Sequence, residues 1–434
     1  MKQIYSWGRY PAVEQELIPI FWRDQPLPDK PAMLPYGQGR SYGDVCLNGG
    51  GVVLPTANLQ RFIRFDEDKG ILRAEAGVTL AQVLSLIMPK GWFLPVTPGT
   101  KYVSLGGAVA NDVHGKNHHR AGSFGCHVSA FELLRSDGQR ILCTPQQNSE
   151  WFKSTVGGLG LTGLITWVEI KLKRIDSDQI DQQCYRFRNL PEFIRLNDEL
   201  ESEWEYTVAW IDCLARGKRL GRGLYMAGNH AAATGQGISV IEKPGLSMPM
   251  DAPGFALNRF TVSAFNTLYY RKPRKAVSKV HYDGYFYPLD KITHWNRMYG
   301  KRGFFQYQCV IPVEQAEAAL GLMLDTIARS GQASFLSVLK KFGENDAPGL
   351  LSFPRPGLTL ALDMANRGNK TLKLLDQLDD ITMQNHGAVY PAKDARMSAA
   401  AFDLYFPEWK TFSQFIDPHF SSSFWRRVKN HTGQ

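Results

Sequence analysis

From Pro98 to Gly125 the chain reads PGTKYVSLGGAVANDVHGKNHHRAGSFG, a run rich in glycine and other small residues. Without Cβ atoms a backbone can approach a ligand closely and turn its N–H groups toward anionic oxygens, as phosphate-cradling loops do. The fold must therefore present this run to something phosphorylated. The same run places His114, His118 and His119 around Lys116. A metal site is the first alternative, and it is set aside because no carboxylate or cysteine falls at a recognised ligand spacing.

At 434 residues the chain exceeds one core, so two or more domains are expected, and 44% hydrophobic residues suffice to bury them. A net charge of +9 points to anionic partners. Nucleic acid is disfavoured, because Lys and Arg are dispersed and no recognised motif gathers them; a phosphorylated small molecule or lipid fits better. Six cysteines, at 46, 126, 143, 184, 213 and 309, form no C-x-x-C pair and read as ordinary thiols of a reducing compartment. Met1 to Asp24 holds no signal-peptide-like apolar segment, and no run is long enough to span a bilayer. A cytoplasmic protein is expected, with attachment to a membrane surface left open.

Taken in order, Gly37-Gln38-Gly39-Arg40-Ser41-Tyr42-Gly43-Asp44 approaches a dinucleotide fingerprint, but its third glycine comes one residue late and no amphipathic helix follows. It reads as a phosphate loop of another kind. Gly70 to Ala76 alternates as a strand, and Thr79 caps a helix with Leu80, Val83, Leu84 and Ile87 on one face. A literal G-x-G-x-x-G at Gly158 to Gly163 is discounted, since Leu164 to Leu172 continues it as a strand where that motif demands a helix. Composition shifts near Asp176, where a first domain boundary is placed. Beyond it, strands are expected at Tyr206 to Ile211 and Phe304 to Ile311, and helices at Val313 to Arg329 and Asn369 to His386. An antiparallel sheet with helices on one face suits that pattern, making the chain α+β. Tyr269 to Lys279 holds five positive charges and reads either as a solvated loop or as a mobile basic lid that attracts a phosphate or an anionic membrane.

Three segments together carry a family resemblance: Gly37 to Asp44, the run containing His114-Gly115-Lys116-Asn117-His118-His119, and Tyr390-Pro391-Ala392-Lys393-Asp394-Ala395-Arg396. The chain resembles FAD-linked oxidases of the vanillyl-alcohol oxidase / p-cresol methylhydroxylase type, and within them the decaprenylphosphoryl-β-D-ribose 2-oxidases. The likeness covers nearly the whole chain. It implies a two-part FAD-binding domain (1–175 and 388–434) with a substrate domain (176–387) inserted and built on an antiparallel sheet. In many oxidases of this fold a histidine in the first glycine loop binds the flavin covalently. Tyr42 stands there in this chain, so the resemblance implies non-covalent FAD. It further implies that FAD is held by Gly37, Gln38, Gly39, Arg40, Ser41, Tyr42, Gly99, Thr100, Ser104, Leu105, Gly106, Gly107, Asn111, Asp112, Val113, His114, Leu164 and Tyr390. The pyrophosphate would lie on backbone N–H groups of Gly37 to Tyr42 and Ser104 to Gly107.

The implied chemistry is oxidation of a secondary sugar hydroxyl to a ketone, at C2 of a polyprenyl-phosphoryl ribose, as the first half of an epimerisation that a short-chain reductase partner completes. A hydride leaves carbon for the flavin, and the hydroxyl proton needs an acceptor. Lys393, His114 and Tyr42 are the catalytic candidates, and Lys393 can serve as a base or simply as a charge. Lys116, Trp210, Gln306, Gln308 and Lys393 are the candidate substrate contacts, with core packing an equal reading for Trp210. Gln306 and Gln308 alternate on one strand and face one side, while Tyr307 faces the other. Ala361 stands where some relatives have a cysteine, and Phe286 where they have a tyrosine. A sugar-1,4-lactone oxidase and a non-catalytic binder of anionic sugars are the competing readings.

Overall fold

The structure, a computed structural model, describes residues 2–233, 237–240, 245–253, 257–272 and 277–429. The N-terminal part builds two sheets. Strands Lys2–Tyr5, Ala12–Leu17, Val52–Pro55 and Met33–Tyr36 lie side by side in that order, the last three parallel to one another. Strands Phe62–Asp66, Ile71–Glu75, Leu164–Lys171, Val128–Leu134 and Arg140–Cys143 form an antiparallel sheet. On Ile71–Glu75 the period-two pattern buries Leu72 and Ala74 completely. The helix Leu80–Ile87 starts where expected. Thr79 and Gln82 form a reciprocal capping box, and Leu80, Val83, Leu84 and Ile87 enter the core beneath it.

The largest sheet has eight strands, antiparallel throughout: Val277–His281, Gln179–Phe187, Gly223–His230, Tyr206–Ile211, Ser337–Phe342, Gly357–Ala365, Phe304–Ile311 and Ala388–Val389. Helices Leu190–Leu200, Val313–Ser330 and Asn369–Gln384 pack against it. Val313–Ser330 buries Ala316, Ala319, Leu320, Met323 and Ile327, the face its periodicity implies. Strands 206–211 and 304–311 coincide with the sequence expectation, whereas the last helix stops two residues short of His386, at Gln384.

The stretch expected to return to the flavin domain from Ala388 gives its first two residues to this sheet and crosses over only after Val389. Of its short helices, Ala399–Tyr405 packs on Asn369–Gln384 and Ala388–Val389, and Ser423–Lys429 packs on Ala399–Tyr405 and on the turn Asp44–Cys46 of the N-terminal part. Met33 donates its N–H to His419 O, and Met33 O accepts from Ser421 N. Arg427 bonds Asp44 at 2.7 Å and Asp394 at 3.0 Å. At Gly43 an added Cβ would fall 1.5 Å from the Asp394 carbonyl oxygen, so only glycine allows the first glycine loop to touch the C-terminal stretch. Of the basic segment 269–279, residues 273–276 lie outside the described residues. Tyr269 to Arg271 end a helix, Arg259–Arg271, and Val277 to Lys279 lie on an edge strand. Among the described residues no helix is long and apolar enough to cross a membrane.

Candidate active site

Where the three segments meet, a cavity of about 420 Å³ opens between the glycine loops and the eight-stranded sheet. The first loop, Gly37 to Tyr42, forms one wall. Gly39 has φ +60°, and an added Cβ would meet the Tyr36 hydroxyl at 2.1 Å, so the loop is closed to larger residues. Tyr42 N donates to Ala392 O at 2.9 Å, while the N–H groups of Gln38, Gly39, Arg40 and Ser41 donate to no protein atom among the described residues. They are free for an anion.

The second expected set of amides behaves otherwise. Leu105 N donates to Val78 O, Gly106 N to Ala76 O, and Gly107 N to the Ser104 hydroxyl, because Ser104 caps the short helix Leu105–Ala110. These three N–H groups already have partners within the protein. Two expected cofactor contacts lie outside the wall altogether. Leu105 is fully buried in the core, and Asp112 holds the loop from behind, accepting from Gly125 N at 2.8 Å and from the Ser352 hydroxyl at 2.5 Å. Gly99, Thr100, Ser104, Gly106, Gly107, Asn111, Val113, His114, Leu164 and Tyr390 all line the cavity. Tyr390 stacks on Phe353 at 4.6 Å and donates to Asn111 O. Asn111 donates its amide to Gly107 O, and its Oδ1 is buried with no partner among the described residues, an acceptor on the wall.

Lys393, set by the Tyr42–Ala392 contact, lies 3.9 Å above the Tyr42 ring. Burial lowers its affinity for a proton, and the Asp363 carboxylate opposes that. Asp363 is itself raised by burial; it accepts from Gln306 Nε2 at 2.6 Å and from the Tyr299 hydroxyl at 3.3 Å. The pairing register of Phe304–Ile311 with Gly357–Ala365 sets Gln306 opposite Asp363 and Gln308 opposite Ala361. Burial holds the Tyr42 phenol well above its ordinary range, with its hydrogen bond to Gln306 opposing. As expected, Tyr307 faces away and meets Thr382 at 2.8 Å.

His114 is wedged between Gln308, 2.9 Å from its Nε2, and Lys340, 2.8 Å from its Nδ1. Burial and then the Lys340 charge keep the ring neutral. Gln308 Nε2 is the atom that faces the ring, and it also donates to the Thr359 hydroxyl at 3.2 Å; which ring nitrogen carries the hydrogen follows from the tautomer. Lys116 donates to Tyr285 O and sits 4.3 Å over that ring, and burial brings it down to about 7. Lys340 is likewise lowered to about 7, by burial and then by the charges of Lys116 and Lys393. Trp210 lines the cavity with its indole N–H on Phe335 O at 3.0 Å, and Ala361 and Phe286 line it too. His118 and His119 point elsewhere, to Gly343 N and Trp204 O.

Lys340 and Asp363 have no functional assignment in the sequence reading. On their strand Lys340 and Lys341 face opposite ways: Lys341 reaches Asp198 and Glu201, and Lys340 enters the cavity. The alternation of Val338 and Lys340 against buried Leu339 was the available signal.

Residues 29–144 match the FAD binding domain family. Over 410 residues, 91% of this chain and 88% of the relative, the sequence is 37% identical to decaprenylphosphoryl-β-D-ribose oxidase of Mycolicibacterium smegmatis. The chain belongs to the decaprenylphosphoryl-β-D-ribose oxidase family. It is an FAD-dependent oxidoreductase, and the free amides of the first loop together with the Asn111 acceptor suit that cofactor. Shorter matches mark what is shared more widely. Human Δ(24)-sterol reductase is 33% identical over 115 residues, 26% of this chain and 22% of its own. A putative D-arabinono-1,4-lactone oxidase of Neurospora crassa is 25% identical over 135 residues, 31% and 24% of the two chains.

Proposed function

We propose that this member of the decaprenylphosphoryl-β-D-ribose oxidase family oxidises the C2 hydroxyl of a polyprenyl-phosphoryl ribose to a ketone, which a short-chain reductase then reduces to complete an epimerisation in cell-envelope polysaccharide synthesis. The observation that carries this reading is the pair of lysines in the cavity. Lys116 and Lys340 are half-buried there without a carboxylate partner among the described residues and lowered to about 7, so a phosphate beside them would draw them into the charged form and pair with both, which a neutral lactone cannot do. In this reading the eight-stranded sheet is the inserted substrate domain, bounded near 176 and 387.

FAD, when bound, supplies the hydride acceptor. Lys393 takes the hydroxyl proton at Nζ, since burial favours its neutral amine at ordinary pH. The Tyr42 hydroxyl, held protonated, orients the sugar by a hydrogen bond, and neutral His114, both ring nitrogens engaged, fixes Gln308 and Lys340 in place; neither accepts a proton. Gln306, tied to Asp363, and Gln308, tied to His114, present fixed amides to the sugar, and Trp210 forms the wall beside it. Gln38 to Ser41 hold the cofactor's phosphates, and Asn111 faces its ring.

The flavin is non-covalent in this reading, so acid precipitation should leave a colourless pellet; colour retained in the chain would refute it. The decisive test mixes the holoenzyme anaerobically with a polyprenyl-phosphoryl ribose and, separately, with an aldono-1,4-lactone. Bleaching by the lipid alone is expected. Bleaching by the lactone alone would overturn the proposal.

A further inference from the structure

The helix Arg259–Arg271 is inside out. Its packed side is made by Val262 and by Asn266, which is fully buried and donates to Asp212 Oδ1 at 2.9 Å. Its large apolar residues face outward instead: Phe260 is 82% exposed, Leu268 71% and Phe265 45%. Phe260, Ala264 and Leu268 recur every four residues and form one stripe with Phe265 alongside. A soluble helix ordinarily turns that stripe toward the core.

Two further features say what covers the stripe. From Leu257 to Lys272 there is no acidic residue, while Arg259, Arg271 and Lys272 are all exposed at the two ends. An apolar stripe flanked by cations suits an anionic bilayer surface, where phenylalanine and leucine enter the acyl boundary and arginine and lysine meet headgroup phosphates. The stripe is also continuous with the cavity. Phe265 stacks on Tyr269 at 5.7 Å, and Tyr269 meets Trp210 edge-on at 4.7 Å. Both Tyr269 and Trp210 line the cavity.

The geometry points to Arg259–Arg271 as an interfacial helix that seats the enzyme on an anionic membrane with its cavity facing the lipid. This rests on the proposed lipid-linked substrate: a polyprenyl tail stays in the bilayer while its phosphoryl sugar passes along the aromatic path to Lys116 and Lys340. Tyr269 belongs to that path, whereas Phe260 and Leu268 serve only docking.

The test uses holoenzyme with Phe260→Ser and Leu268→Ser combined, compared with the parent. Sedimentation with phosphatidylglycerol vesicles should pull down the parent and not pure phosphatidylcholine vesicles, and the variant's partition coefficient should fall roughly tenfold or more. Arg271→Gln with Lys272→Gln should weaken binding less and flatten its salt dependence. Turnover of polyprenyl-phosphoryl ribose embedded in vesicles should fall with the lost binding, while a detergent-solubilised short-chain analogue is oxidised at the parent rate. If the parent ignores anionic vesicles, or the variant binds them as well as the parent, the helix is no membrane anchor. A parent that is dimeric in solution and becomes monomeric with the double change would assign the stripe to a second copy and overturn the proposal. Vesicle binding without oxidation of either lipid would sink the substrate reading and leave the anchor standing.

Discussion

Lys393 and Asp363 bias each other's protonation inside the cavity, and the proposed reaction needs the amine neutral. Lys393→Ala should keep the visible flavin spectrum and slow anaerobic flavin reduction by roughly a hundredfold or more, since general-base catalysis acts mainly in the transition state. A variant that reduces at the parent rate, or that simply loses its flavin, would make the lysine structural. Asp363→Asn is the sharper test of the pair. The carboxylate raises the Lys393 pKa, so its removal should let the amine lose its proton at lower pH. Flavin reduction rises with pH as the amine is freed, and in the variant that rise should move to lower pH; an unmoved profile would disconnect the two. Lys393, His114 and Gln308 were legible because they stand in quoted motifs or at alternating strand positions. Lys340 was not, because a Lys-Lys pair says nothing until strand geometry sends the two side chains to opposite faces. Asp112 misled for the converse reason: it sits in the motif, but its turn aims the carboxylate at Ser352 and Gly125 N, away from the cavity.

Among the elements, the terminal helix Ser423–Lys429 exerts control out of proportion to its seven residues. Arg427 bridges Asp44, next to the first glycine loop, and Asp394, next to Lys393. Both carboxylates are 5% exposed. Breaking a buried pair from one side leaves charge without compensation, so Arg427→Met should cost about 3 kcal/mol in urea unfolding and weaken FAD retention. A loss within about 0.5 kcal/mol would mean that the carboxylates find water or another donor. Periodicity located the helices 80–87 and 313–330, because each has one face in a core; the strands 206–211 and 304–311, buried along their whole length, show instead as short runs rich in aromatic and β-branched residues. The return of the chain at Ala388 was harder to place. A two-residue strand carries no periodic signal, and its pairing with Val310 and Cys309 is decided by register far away in sequence.

For the whole molecule, the cost of the cavity's charge should appear in its pH stability. Lys116 and Lys340 bind protons at about 7 when folded, against an ordinary 10.5 in the unfolded chain. Between those values the unfolded chain holds more protons, so stability rises with pH, each lysine adding at most about 1.4 kcal/mol per pH unit. At lower pH both lysines are protonated in either state, and the burial penalty is felt in full. The rise has an upper limit. Burial pushes the thiols of Cys46, Cys143, Cys213 and Cys309 from 9.0 up to about 12, so above pH 9 the unfolded chain loses protons the folded one keeps, and stability turns down. The informative window is therefore pH 7 to 9, with FAD held at one saturating concentration because a ligand of the folded state shifts every midpoint. Parent protein should gain in urea midpoint across this window, and Lys116→Met with Lys340→Met should gain less while starting higher at pH 7. Parallel curves for parent and double variant would show that both ammonium groups are solvated, which would remove the charge argument for a phosphorylated substrate.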